Sequence, residues 1–178
     1  MIRLFAAIAL PEDIGDGLLR RQHGLPGAKW RPRSAFHITL RFVGEVAENV
    51  AEDLDAELAA ISVEPLALSL EGVGAFGEGE TLNAIWAGVA ENPTLRRLAA
   101  RCESAARRAG LKPDHRTWKP HVTLAYLSRP DPGRVAAWIQ GNNLLKSPTF
   151  EVRRFGLYSS WMGGEASVYR LEADYPLS

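Results

Sequence analysis

The tetrapeptide HITL at residues 37–40 returns as HVTL at residues 121–124. Each copy sits in an apolar run, FHITLRF in the first case and HVTLAYL in the second. The chain contains four histidines, and two of them open these repeats. Side chains alternate across a β-strand, so residues two apart share a face. His37 and Thr39 therefore point one way, with Ile38 and Leu40 turned into a core behind them. His121 and Thr123 stand in the same relation to Val122 and Leu124. One further step along each strand adds Arg41 to the first face and Lys119 to the second.

Two such strands facing each other offer two imidazoles, two hydroxyls and two cations. Imidazole gives or takes a proton near neutral pH. Hydroxyls donate to oxygen, and the cations suit an anion. The pattern describes a phosphate site with acid–base groups on both sides. A single His-x-Thr in a strand is usually structural; the matched second copy shifts the balance towards catalysis. A metal centre needs three protein ligands as a rule, and these strands supply two histidines. The remaining pair, His23 near a helix end and His115 in KPDHRTWKPH, read as surface residues.

Outward from the motifs, the chain reads as strand, helix, strand, helix, strands, helix, strand, helix, strands. IRLFAAIAL, bounded by Pro11, is a buried first strand rather than a leader. PEDIGDGLLRRQHGL reads as a helix with acids first and bases last. ENVAEDLDAELAAI spaces Val50, Leu54, Leu58 and Ile61 helically. LALSLEGVGAF and LNAIWAGVA pair across the turn GEGET. NPTLRRLAARCESAARRAGL opens on an Asn cap and Pro, and closes at Gly110. DPGRVAAWIQ is a short helix, and FEVRRFGLYSS and SVYRLEADYPL are closing strands. A motif strand followed by a helix occurs twice, which implies an internal duplication with two similar lobes in one domain, residues 1–178.

Hydrophobic residues make up 46% and charged residues 24% of the 178 residues, and the formal net charge is zero. This is an ordinary globular composition. It argues against a protein that coats long nucleic acids, but not against a site for a nucleotide or an RNA end. No segment approaches the roughly 20 apolar residues of a membrane span. The lone Cys102 makes neither an internal disulfide nor a cysteine metal cage, which points to the cytoplasm. The charges are uneven. No Lys or Arg lies between Arg41 and Arg96, whereas Arg20–Arg41 carries only basic charges, and Arg96–Lys119 nearly so. Each motif closes a basic segment, which implies a positive rim to a shared cleft. Among the aromatics, Phe42, Phe76, Trp118 and Tyr126 are candidates to stack on a base. Strict alternation turns Phe42 and Tyr126 away from the catalytic face.

The sequence resembles the 2H phosphoesterases, and within them the RNA 2′,3′-cyclic phosphodiesterases, also called 2′-5′ RNA ligases. The resemblance runs through RLFAAIALP, FHITLRFVGEV, KPHVTLAYL, LYSS and YRLEADYPL, in that order. It implies a bilobal α+β fold, with two pseudo-symmetric lobes of antiparallel sheet, outer helices and a central cleft. It also implies His37 as proton donor, His121 as proton acceptor, and Thr39 and Thr123 beside them. Arg41, Lys119, Tyr126 and Phe76 are the candidate substrate-binding residues. Relatives often carry Arg where this chain has Lys119, and Lys lacks the bidentate fork. The implied reaction needs no metal or other cofactor, and nothing in the sequence demands more than a monomer. The implied enzyme acts on RNA or oligonucleotide ends bearing a 2′,3′-cyclic phosphate, and on mononucleotides. The near-symmetric motifs do not by themselves order the acid and the base. Three alternatives stay open: 2′-5′ ligation, another cyclic nucleotide, and a nucleotide-binding module without turnover.

Overall fold

A computed structural model describes residues 1–164 and 166–178. Two antiparallel four-stranded sheets carry the motifs, one in each. In the first sheet, β1 (Ile2–Ala9) pairs with β3 (His37–Val46) on one side. On its other side it pairs with β9 (Arg154–Gly163), which in turn pairs with β10 (Ala166–Pro176). In the second, β7 (His121–Leu127) lies between the short β2 (Ala28–Trp30) and β6 (Ala84–Val89), and β6 pairs with β5 (Leu70–Phe76). The motif strands β3 and β7 therefore each pair with an apolar strand, β1 and β6, that packs deep in its lobe. They approach each other between the sheets, where Trp118 Nε1 donates to the carbonyl of Thr39 at 3.1 Å.

Helices cover the outer faces. α1 is Glu12–Leu19, α2 Glu48–Ala59, α3 Pro93–Arg108 and α4 Pro132–Asn142. In α3 the Asn92 side chain accepts from Leu95 N at 3.0 Å, satisfying an orphan donor of the first turn. Leu95, Leu98, Ala99, Cys102, Ala105 and Ala106 form its buried stripe. Gly110, at φ +92°, provides the left-handed turn that ends it. Leu54 and Leu58 anchor α2. A continuous apolar core links Leu4, Ile8, Ile38 and Leu40 of one lobe with Ile85, Val122 and Leu124 of the other.

Three local expectations change. The first helix stops at Leu19 instead of running through Arg20–His23, so its last turn carries no basic residue. LALSLEGVGAF is two strands rather than one. β4 (Leu66–Leu68) leaves to pair with β8 (Phe150–Val152), and β5 begins after Ser69. The break is held by Ser147, which accepts from Leu70 N through its hydroxyl and donates its own N–H to Leu70 O. FEVRRFGLYSS likewise divides at Arg153 into β8 and β9, which pair in different sheets, whereas GEGET is the expected turn, 3₁₀ at Gly79–Thr81 with a reciprocal cap between Glu78 and Thr81. The sequence pattern also missed β2, which is three residues long and has no apolar alternation of its own.

Candidate active site

The first four residues of each motif strand alternate as expected. Ile38, Leu40, Val122 and Leu124 are at most 2% exposed, while His37, Thr39, His121 and Thr123 are partly accessible. All four polar residues line one cavity of about 1250 Å³ between the lobes.

Beyond the fourth residue both strands break alternation at the same place. On β3, Thr39 pairs with Ala7 and Arg41 with Ala6, so Leu40 is an extra residue. On β7, Thr123 pairs with Trp86 and Ala125 with Ile85, so Leu124 is extra. Each is a β-bulge, which reverses the inside–outside order of whatever follows. The two strands accordingly share one pattern over six residues: His and Thr accessible, the next two residues buried, and then an exposed aromatic, Phe42 or Tyr126. The duplication thus includes a backbone irregularity that HxTL alone does not reveal.

The bulge corrects two readings. Arg41 does not stand beside Thr39 with a free guanidinium. It is 9% exposed, in the position equivalent to Ala125, and touches the cavity wall with its charge already engaged. It pairs with Glu103 and donates to the carbonyls of Phe42 and Lys112, the latter at 2.7 Å. Phe42 and Tyr126, which simple alternation sends towards the core, are 38% and 47% exposed on the cavity wall. Trp118 is half-buried and serves as a tie to Thr39.

The expected positive rim also changes in detail. Arg97, Arg107 and Arg108 of α3 pair with Glu64, Glu103 and Glu57, and none of them lines the cavity. Arg96 does line it, although it pairs with Glu91. His23 and His115 are exposed. Lys119 is at the cavity, with its ammonium 4.3 Å from the Trp86 ring centroid. Gly74 makes room for that ring, because a Cβ there would meet Trp86 at 2.4 Å.

Arg31 is the residue that motif reading overlooked. It precedes the first motif by six positions and lies in no repeated pattern. The backbone places it at the site: its N–H bonds Leu124 O at 2.8 Å, directly at the β7 bulge. Its guanidinium donates to Tyr169 Oη at 3.1 Å and lies 5.3 Å from the Tyr126 ring centroid. Tyr169 and Phe5 then enclose His37. Phe5 stacks on it at 4.7 Å, and Tyr169 meets it edge-on at 5.1 Å. His121 has Phe76 edge-on at 4.8 Å.

These surroundings set the protonation of the pair. Burial pushes the His37 pKa down to about 4, and the positive charges of Arg31 and His121 act in the same direction against a hydrogen bond to the backbone of Ala35. His121 is also lowered, mainly by burial, with the Lys119 charge acting in the same direction and the hydrogen bond to the Lys119 backbone opposing it. Its Nδ1 lies 2.7 Å from the carbonyl of Lys119. A carbonyl only accepts, so Nδ1 carries the proton and the neutral ring presents the Nε2 lone pair. Among the described residues, no three His, Cys, Asp or Glu side chains come together as a metal-binding group.

Known proteins agree with this geometry. The 2'-5' RNA ligase superfamily matches residues 16–161. The chain is 30% identical to an RNA 2',3'-cyclic phosphodiesterase of Archaeoglobus fulgidus over 172 residues, covering 95% of this chain and 97% of that one. It is 27% identical to one of Methanocaldococcus jannaschii, covering 96% and 98%. A phosphoesterase crystal structure superposes with a TM-score of 0.80 at 25% identity, covering 99% and 98% of the two chains. E. coli LigT bound to 3'-AMP superposes at 0.81 and 24%, with the same coverage. The match spans both motif strands and the sheets that bring them together, and the chain belongs to the 2'-5' RNA ligase superfamily, the 2H phosphoesterases its sequence resembles.

Proposed function

We propose that this chain hydrolyses the 2′,3′-cyclic phosphate at an RNA end, opening it to a 2′-phosphomonoester. The observation that carries the reading is the convergence of His37, Thr39, His121 and Thr123, from two matched strands, on one cavity. The names of the relatives support it.

The ring phosphorus lies between the two imidazoles. His121 Nε2 takes a proton from water, and the resulting hydroxide forms a new P–O bond. The P–O3′ bond breaks on the opposite side, and O3′ takes its proton from His37. Each such transfer contributes about 10²–10⁴-fold in rate. The hydroxyls of Thr39 and Thr123 donate to the non-bridging oxygens as charge builds there. Lys119 adds positive charge, and Tyr126 with Phe76 provides apolar surface for the terminal nucleoside.

Substrate binding completes the acid. In the free enzyme His37 is neutral at pH 7, because its pKa is about 4. The anionic phosphodiester places a negative charge beside it, which favours the imidazolium. The substrate therefore helps to charge the group that protonates its own leaving oxygen. Both motifs come from one chain, so a monomer holds a complete site. Burial raises the Cys102 thiol to about 12 and keeps it unreactive, as suits a cytoplasmic protein. No helix among the described residues is long and apolar enough to cross a membrane.

The test is product analysis after incubation with a 2′,3′-cyclic mononucleotide, with and without a chelator. A 2′-phosphomonoester formed at the same rate in both arms is the expected result. A 3′-phosphomonoester overturns the assignment of the leaving oxygen. Tight binding without turnover makes the chain a nucleotide-binding module.

A further inference from the structure

The repeated bulge leaves one feature that hydrolysis of a cyclic mononucleotide does not use. Each motif strand carries an exposed aromatic at its sixth residue, and each aromatic has an arginine over its ring. On β7, Arg31 lies 5.3 Å from the centroid of Tyr126. On β3, Arg3 lies 5.5 Å from the centroid of Phe42. The two arginines come from unrelated places in the chain, β1 for Arg3 and the end of β2 for Arg31. The arrangement therefore does not follow from a copied sequence alone.

We propose that Phe42 and Arg3 form a second base-stacking platform, so that the cleft grips the last two nucleotides of a single-stranded RNA end. The inference rests on the reading that the cyclic phosphate lies between the histidines. Tyr126 and Arg31 take the terminal base, because Arg31 also bonds Tyr169, whose ring borders His37. Phe42 and Arg3 take the base on its 5′ side.

Three observations favour this occupant. Phe42 is 38% exposed and shares the cavity lining with the exposed rings of Tyr126 and Trp161, so it belongs to a group of accessible aromatics at one site. Its platform is continuous with the catalytic cavity, which Phe42, Arg3 and the histidines all line. That cavity, at about 1250 Å³, is larger than the roughly 300–1,000 Å³ of a small-ligand pocket. The charge also fits. Arg3 makes no ion pair among the described residues, whereas Arg41, Arg96 and Arg116, which also line the cavity, each have a carboxylate partner. Its guanidinium can hold a base against Phe42 and still meet the phosphate that joins the two nucleotides.

The experiment compares kcat/KM for three substrates of one terminal base: a 2′,3′-cyclic mononucleotide, the corresponding dinucleotide with a 5′ adenosine, and the same dinucleotide with an abasic 5′ residue. Stacking of one base predicts that the adenosine dinucleotide exceeds the abasic one by about five- to 150-fold. In Phe42→Ala that ratio falls to near one, and in Phe42→Trp it persists. Equal kcat/KM for the adenosine and abasic dinucleotides in the unmodified protein overturns the platform and leaves the catalytic reading intact. A ratio that survives Phe42→Ala overturns the assignment to this residue. No turnover of any of the three substrates removes the catalytic reading, and the inference with it.

Discussion

The β3 and β7 strands follow one plan and yet hold their histidines differently. Both run histidine, buried, threonine, buried, buried, aromatic, with the bulge at the same step. His37 is flanked by Phe5 and Tyr169 with Arg31 close by, while His121 rests against Phe76 with its Nδ1 anchored on Lys119 O. The first is therefore pushed further from its ordinary pKa than the second, to about 4. Two equal imidazoles would share protons evenly. In the free protein the inequality favours a proton on His121 over His37, so the proposed roles require the bound phosphate to bring the proton to His37.

The largest expected effect comes from removing either side of this pair. His37→Ala and His121→Ala should each lower kcat by several powers of ten, and the double variant should fall little further, because the residues act as one unit. A substrate with a more acidic alcohol at the 3′ position should rescue His37→Ala but not His121→Ala. Rescue of His121→Ala alone would exchange the roles.

A smaller effect should appear in the pH profile, where the asymmetry of the lobes is read directly. The competent free enzyme holds one proton across the pair. Both pKa values lie below the ordinary 6.5, with His37 at about 4. The bell-shaped curve of kcat/KM should therefore have its maximum on the acid side of 6.5 and its acid limb near 4, both limbs belonging to the coupled pair. The curve of kcat should lie at higher pH, because bound phosphate raises both values. Arg31→Gln removes a positive charge beside His37. It should move the acid limb of kcat/KM upward and raise KM about tenfold through loss of the contacts to Tyr126 and Tyr169. Coincident kcat and kcat/KM curves would show that the substrate does not charge the acid.

The smallest effect separates the cleft from the outer face of α3. Arg107 and Arg108 sit about half exposed in ion pairs with Glu103 and Glu57, away from the cavity. Reversing both charges should change KM for an oligonucleotide by less than about twofold, since exposed pairs carry little energy. A large rise in KM would restore the basic segment as an RNA-binding surface.

Much of this molecule is legible along the chain, for local reasons. α3 announces itself through its Asn92 cap, its apolar stripe and Gly110, all features that act within a few residues. His37, Thr39, His121 and Thr123 are visible because a strand period of two is a property of the backbone itself. The break at Ser69 is not visible, because its cause is Ser147 on a distant segment. β2 is missed for the same reason: its order comes from pairing with β7.

The sequence by itself determined which polar groups line the cleft and that they come in two matched copies. Only the tertiary structure decided which other residues join them. A bulge is a mismatch between two strands, so Leu40 and Leu124 become extra residues only against Ala6–Ala7 and Ile85–Trp86. That mismatch turns Arg41 into a buried strut for Glu103 and brings Phe42 and Tyr126 to the cleft. Arg31 reaches His37 through a hydrogen bond to the β7 strand, and Tyr169 arrives on the last strand of the other lobe. Alternation is local and can be counted along one chain; pairing register and desolvation are set between segments, and they exist only once the lobes have packed.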